Sequence, residues 1–564
     1  MDRPCPRRRL PFALLVGACV VAPALLQGQA SCNTGETRLA ELAMLIQGAE
    51  QLAFDAEVRN YDAWLSDAPP SALVRAFPLD PDALVYVNVQ NEAGHTNVMA
   101  ATVGGGEVTT PLAPGRNLVR VYVKAPGGAS DFYDIDVVVC EATCPKARTW
   151  GEAELLETYD VDDAYQPQVA WTPDGGALAI WGQASSSGDE IWSSRYTPAV
   201  AWTAPERIDR TYARGKTWPQ LVVDDAGNAV AIWSQGETRH WGIWASRYTP
   251  DGGWGEEVRI DELDTLNFKT PTAVGDAEGN FMVVWSEQNE ALGYDVFANR
   301  YTRDIGWGTP EEIDPLNQST ASFPRVAMNR GGAAIAVWEQ GGVRNDVYVN
   351  RYSPTAGWGA PEPVENDYIN SAFDVDVAID ETGNAVVVWQ RAQEPFYGDD
   401  RDIWSNRYAV GSGWGTAERI DDSERRYSTE PRVAIDSDGR SLACWHQTND
   451  GFFSIWCNWH SGAAWGTPKL IEDDTVGNGY FPQPAFDGDG SALVVWERWD
   501  EVLFDVWANR YTRDGGWETA GPIEHDDRGD ARRPRLALSR EGNAIVVWSQ
   551  SDGTMSSVWR NHFE

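Results

Sequence analysis

Val558-Trp-Arg-Asn-His-Phe-Glu564 ends one strand short of a repeat unit, and the missing strand stands far upstream as Trp150-Gly-Glu-Ala-Glu-Leu-Leu156. A strand displaced from one end of an array to the other is what a ring needs when its two ends share a sheet. Working outward from these two stretches, three patterns recur in fixed order. The first ends in runs such as NAVAIW, NAVVVW and NAIVVW, at Trp181, Trp233, Trp285, Trp338, Trp389, Trp445, Trp496 and Trp548. The second reads IWASRYT, VFANRYT or IWSNRYA. The third, of the type GWGEEVRID, begins the series at Trp150, and the second closes it.

The spacing between successive first-pattern tryptophans is 51 to 56 residues. Aromatic and β-branched runs at that period, separated by turn signals, indicate a propeller. In Pro219-Gln-Leu-Val-Val-Asp-Asp-Ala-Gly-Asn-Ala-Val-Ala-Ile-Trp233, two apolar strands meet at a turn. Its Asp, Gly and Asn supply positive φ and local hydrogen bonds. The pattern predicts an all-β chain: a small β-sandwich over 36–139, then an eight-bladed β-propeller of four-stranded blades over 149–564. The N-terminal strand at Trp150 would complete the last blade. The repeats hold 22 of the 28 tryptophans, and an aromatic present in every unit reads as blade-to-blade packing.

Residues 1–31 read as a signal peptide and tether, with a basic head and an uncharged run from Leu10 to Leu26. Within it, Val16-Gly-Ala-Cys19 resembles the bacterial lipobox, which implies lipidation of Cys19 and cleavage before it. The competing reading is simple secretion with cleavage after Ala30. Either places the chain in the cell envelope, as an outer-membrane lipoprotein or a secreted protein, touching membrane through the lipid alone. Lys and Arg total 45 against 84 Asp and Glu, a net charge of −39. That balance excludes nucleic acid and anionic lipid surfaces as partners. Cys444 precedes Trp445 and Cys457 follows Trp456, so pairing the two tryptophans in a hairpin sets the cysteines opposite each other for a disulfide. The pairing of Cys32, Cys140 and Cys144 stays open.

The segment ahead of the repeats resembles the cadherin-like domain of bacterial surface proteins in Leu52-Ala-Phe-Asp55, Tyr61, Pro114-Gly-Arg-Asn-Leu-Val-Arg-Val-Tyr-Val123 and Asp131-Phe-Tyr-Asp-Ile-Asp-Val137. The resemblance implies a spacer that holds the ring off the membrane. Leu39 to Ala53 also reads as a short amphipathic helix. Pro167-Gln-Val-Ala-Trp-Thr-Pro-Asp-Gly-Gly-Ala-Leu-Ala-Ile180 is loosely similar to the repeats of periplasmic propellers, and its Asp-Gly hairpin to those of sialidase-type propellers. Neither family's functional residues carry over. Arg195, Arg247, Arg300, Arg351, Arg407 and Arg510 recur with the repeat and are expected to pair with a neighbouring blade's carboxylate.

No nucleophile motif, cofactor motif or metal-ligand spacing stands out, and Asp436-Ser-Asp-Gly439 and Asp487-Gly-Asp-Gly490 read as hairpin turns. Recognition is expected on the face that carries the variable loops and connectors. Its longest loop, Gln390 to Asp402, carries Phe396 and Tyr397, and aromatics just ahead of the inner strands include Trp218, Phe323 and Phe481. These five are the candidate ligand-binding residues. The expected function is a monomeric, surface-anchored protein that binds or scaffolds a glycan or protein without catalysis. The alternative is a carbohydrate-active enzyme, glycosidase or lyase, using the same face.

Overall fold

The computed structural model describes residues 39–564 except 47–48, 51–59, 67–70, 92–93, 97–101, 113–114, 127–129, 141–147, 158–161, 199–200, 212–214, 238–239, 263–268, 289–292, 316–319, 343, 366–370, 393–400, 423–426, 450, 473–476, 514, 525–528 and 552. Cys19, Phe396 and Tyr397 lie outside the described residues. The chain divides into two compact units, Met1–Ala147 and Arg148–Glu564. All the described secondary structure is β, and no described helix could cross a membrane.

In the first unit, a four-stranded sheet runs Ala49–Glu50, Leu39–Ile46, Ser71–Pro78, Gly106–Pro111. A six-stranded sheet is centred on Gly115–Lys124. Leu42 and Val74 of one sheet share a core with Val87, Val121 and Ile135 of the other. Leu39–Ile46 is a strand, which settles the helix alternative: Leu39 and Leu42 are fully buried, and the N–H of Leu39 donates to the Tyr133 hydroxyl at 2.8 Å.

The second unit holds eight sheets in succession. In each, a first strand meets a second across a tight turn closed by local side-chain bonds. Asp224 Oδ1 accepts the N–H groups of Ala226 and Asn228 at 2.8 Å each, while Gly227 takes φ 79°. Asp436 and Asp487 serve their turns in the same way. The third strand then carries the fourth as two short pieces, such as Gly253–Trp254 and Val258–Arg259. The unbroken fourth strand expected from sequence is split by a bulge: five residue steps from Trp254 to Arg259 lie against four from Tyr248 to Trp244.

Packing between sheets is the same at every junction. Trp389 is fully buried against Ile335, Val337 and Val347 of the preceding sheet, and Trp496 against Leu442, Cys444 and Ile455 of its own predecessor. Trp181 of the first sheet packs on Ile545, Val547 and Val558 of the eighth, so the circuit of contacts returns to its start. Backbone pairing repeats the message: Leu155 lies opposite Trp559 and Trp150 bridges Phe563. Each buried tryptophan is of the size whose removal typically costs about 3–5 kcal/mol.

The third strand adds a second stitch. Asn406 Nδ2 donates to the Gly415 carbonyl at its own bulge and to the Val364 carbonyl of the preceding sheet, at 3.2 and 2.9 Å. Asn299, Asn350, Asn458, Asn509 and Asn561 make the same reach to the preceding sheet. From sequence, the arginine that follows is expected to pair with a neighbouring blade's carboxylate, and it does not. Arg247, Arg300 and Arg351 lie over Tyr301, Tyr352 and Tyr408 of the next sheet, at 5.6, 5.4 and 4.3 Å, because the tyrosine of each third strand occupies that interface. Their carboxylate partners are in their own sheets, as in Arg195–Asp174 at 2.8 Å and Arg351–Glu362 at 3.2 Å. In the sixth sheet, Cys444 and Cys457 face each other and are joined by a disulfide.

Candidate functional site around the inner strands

The first strands form their own closed circuit, each touching the next and Ala531–Leu538 touching Ala164–Trp171. Each enters from the connector side, and near that entry seven of the eight carry a one-residue bulge, as where Thr217 pairs Ser234 but Gln220 pairs Ile232. In every bulge a non-glycine residue takes the left-handed conformation: Gln166, Trp218, Phe323, Asp374, Glu430, Phe481 and Arg533, with φ from 51° to 57°. Such a conformation costs on the order of 1 kcal/mol or more for a side chain with a Cβ, and it persists only where the surroundings over-determine it. Here the fixing group comes from the preceding sheet. The N–H of Trp218 donates to Gln166 Oε1 at 2.9 Å, that of Asp374 to Glu339 Oε1 at 2.8 Å, and that of Arg533 to Glu497 Oε1 at 2.5 Å.

The bulge aims unlike side chains around one axis. Trp218, Phe323 and Phe481 hold equivalent positions in the second, fourth and seventh sheets and are 38, 62 and 37% exposed. They lie inside the first strands, two or three residues from their starts, and not in the connectors ahead of them. Tyr165 and Phe373 stand one residue before the left-handed position, so the sequence grouping of connector aromatics separates into two geometries. Phe481 neighbours Tyr480 and His446, with ring centroids 6.1 and 6.3 Å apart. Burial and the nearby Arg432 push the His446 imidazole down to about 3, so it is neutral at physiological pH.

Acids gather on one side of the mouth. Burial first, then the Asp374 charge, pushes Glu430 up to about 7, and burial does the same for Glu339. Two residues beyond each left-handed position, the fourth, sixth and eighth sheets place Arg325, Arg432 and Arg535, opposite Val337, Cys444 and Val547. These arginines were not singled out from sequence. The available signal was that their position varies between blades while its flanks repeat.

Away from the axis, Asp314, Asp295 and Glu312 form an acidic cluster in the third sheet. The first and second sheets hold Arg207 and Arg259 where Glu312 stands, each paired to the adjacent buried aspartate at 2.7 Å. Burial, reinforced by Asp295 and Glu312, pushes Asp314 up to about 7. A cleft of about 410 Å³ opens between the fourth and fifth sheets on the tight-turn side, lined by Arg351, Tyr408 and Thr382 among others.

No protein-family model matches the chain, and no curated protein matches it. Among solved structures it is similar to a protein of unknown function from Dyadobacter fermentans, at 12% identity over 74% of this chain and 100% of that one, with a TM-score of 0.38. A polysaccharide lyase, an ulvan lyase, matches at 13% identity over 61% and 93% with a TM-score of 0.39. The α-L-arabinanase of Penicillium chrysogenum in complex with arabinobiose matches at 14% identity over 53% and 94% with a TM-score of 0.36.

Proposed function

We propose that the eight sheets are the blades of a closed eight-bladed propeller whose axial mouth binds an oligosaccharide. The observation that carries this reading is the set of seven strained inner-strand positions, identical in backbone and different in side chain, three of which present exposed aromatic faces. Sugar rings stack on such faces, while Gln166, Asp374 and Glu430 supply the polar groups that orient hydroxyls. In this reading the chain is exported and anchored through Cys19, and the cadherin-like unit is its spacer.

A second reading, glycosidase or lyase activity at the same mouth, is favoured by Glu339 and Glu430. Carboxyls poised near 7 on either side of Asp374 suit general acid–base work. A glycan panel with a hydrolase and lyase substrate panel tests both. Replacing Trp218, Phe323 and Phe481 together by Ala should weaken oligosaccharide binding about ten-fold or more, at roughly 1 kcal/mol per stacked ring, while the melting temperature stays unchanged. Binding that survives the triple variant places the site elsewhere. Turnover abolished by Glu430→Gln establishes the enzyme.

A further inference from the structure

In a chain of net charge −39, three arginines meet at the centre of the first strands, with Asp376 at the same register position of the fifth sheet. Arg325, Arg432 and Arg535 occupy one register position on alternate sheets, so the circuit of first strands turns them toward a common centre. All three are half-buried. Hydrogen bonding among the described residues spends little of their capacity: Arg432 Nη1 and Arg535 Nη1 each donate to the carbonyl of the proline just before them, at 2.8 and 3.3 Å. Among the described residues none of the three makes an ion pair.

Three of the nearby carboxylates accept hydrogen bonds from other groups. Asp376 Oδ2 accepts the Val433 N–H at 2.9 Å, and Glu497 accepts from Arg533 N–H and from Arg532 Nε at 2.5 and 2.8 Å. Glu339 receives the Asp374 N–H. Burial and the Arg432 charge lower the pKa of Arg325 while Asp376, Asp374 and Glu339 oppose them; burial and the charges of Arg432, Arg325 and Arg533 lower that of Arg535 while Glu497 opposes them. Three half-buried guanidiniums that lower one another's pKa and make no ion pair among the described residues keep donors to spare, and a planar anion offered to them would gain several charge-assisted bonds at once.

We propose that Arg325, Arg432 and Arg535 form an anion seat on the propeller axis, and that the saccharide taken there is acidic, carrying uronate carboxylates or sulfate esters. This rests on the saccharide reading above and deepens it. The aromatics of the mouth would hold ring faces while the arginines take the charge below them. The net negative charge opposes an acidic ligand at long range, so the attraction is confined to the seat.

The test uses the full chain and matched probes: an oligogalacturonate against its carboxyl-reduced counterpart, and a sulfated galactan oligomer against the desulfated one. The expected result is preference for at least one acidic member, salt-sensitive, and weakened about ten-fold or more by Arg432→Gln and by Arg535→Gln. Whichever pair shows the preference distinguishes carboxylate from sulfate. Melting temperatures of both variants should equal or exceed the parent's, because each removes repulsion; a fall in both would mark the arginines as structural and overturn the proposal. Equal binding of acidic and neutral members, unchanged in both variants, overturns the anion seat and leaves the saccharide reading standing. Binding of none of the four oligomers sinks the saccharide reading, and the acidic-saccharide proposal with it.

Discussion

The first and third strands of each sheet treat repetition in opposite ways. The third strand repeats its side chains: an Asn or Ser, then Arg, then Tyr in most units, with each Asn reaching the preceding sheet and Arg247, Arg300 and Arg351 lying over the next sheet's Tyr. The first strand repeats its backbone, down to a left-handed φ within a few degrees, and varies the side chain placed there. Identical side chains are what a ring needs to meet itself eight times; unlike side chains on an identical frame are what a ligand needs. Changes to the outer two strands should therefore cost stability and spare binding, and changes at the inner bulge should do the reverse.

The largest expected effect tests the outer strands. Deleting 150–156 removes the ring contact of Trp150 with Phe563 at 5.2 Å, the buried Leu156, and the carbonyl of Gly151 that Asn561 Nδ2 reaches at 2.9 Å. It also exposes the edge of Ser556–Phe563. A loss of several kcal/mol follows from one buried apolar side chain and the lost bonds together. Thermal melting of the deleted chain at the parent's temperature would break the comparison at its base.

A smaller effect separates sheets that differ at one position. The third to eighth sheets use Asn to reach back to their predecessor, whereas Ser194 and Ser246 reach only the carbonyls of Thr203 and Gly255 in their own sheets, at 2.8 and 3.1 Å. Asn406→Ala should cost about 1–2 kcal/mol, since it leaves the buried Val364 carbonyl and the part-buried Gly415 carbonyl without this donor. Ser246→Asn should recover part of that amount at the junction of the first two sheets. Denaturant midpoints measure both, and equal values for the two variants would mean the reach between sheets carries no energy.

The architecture was legible in the sequence because its signals are periodic: Trp181 to Trp548, the Asp-Gly turns and the displaced Trp150 each announce a position the fold uses again. The axial site was legible in part. Trp218, Phe323 and Phe481 were visible as aromatics before inner strands, yet nothing in the sequence marks their left-handed φ, which is imposed by acceptors such as Gln166 and Glu339 from the preceding sheet. Arg325, Arg432 and Arg535 stand far apart in the chain, and only closure brings them to one axis. The acidic cluster of the third sheet escaped notice because Glu312 replaces a cation known to be needed only once Arg207 and Arg259 are seen at their aspartates.

That cluster gives a pH-dependent prediction. The folded state raises Asp314 from 3.8 to about 7, so the fold binds a proton that the unfolded chain releases. Its contribution is present below the unfolded value and is lost as pH rises through about 7. Asp314→Asn keeps the acceptor for the Val296 N–H, 2.7 Å away in the parent, and removes the charge. The variant should match the parent near pH 4 and exceed it at pH 8, by up to about 4 kcal/mol. Parallel stability curves across that range would show that the cluster carries no linked proton.

The smallest effect is the sharpest test of the inner strand. Phe323 is 62% exposed and sits at φ 51°, so its ring contributes little packing while its Cβ strains the backbone. Glycine adopts that conformation without strain but loses more chain entropy on folding. The two terms oppose each other at about 1 kcal/mol each, so Phe323→Gly should leave stability unchanged or raise it by up to about 1 kcal/mol. Phe323→Ala, which keeps the Cβ, should gain nothing. Both should lose the same share of oligosaccharide affinity, because both remove the ring. A clear destabilisation by glycine would mean that the ring packs at this position, and the separation of roles between first and third strands would then fail at the residue where it is most exposed.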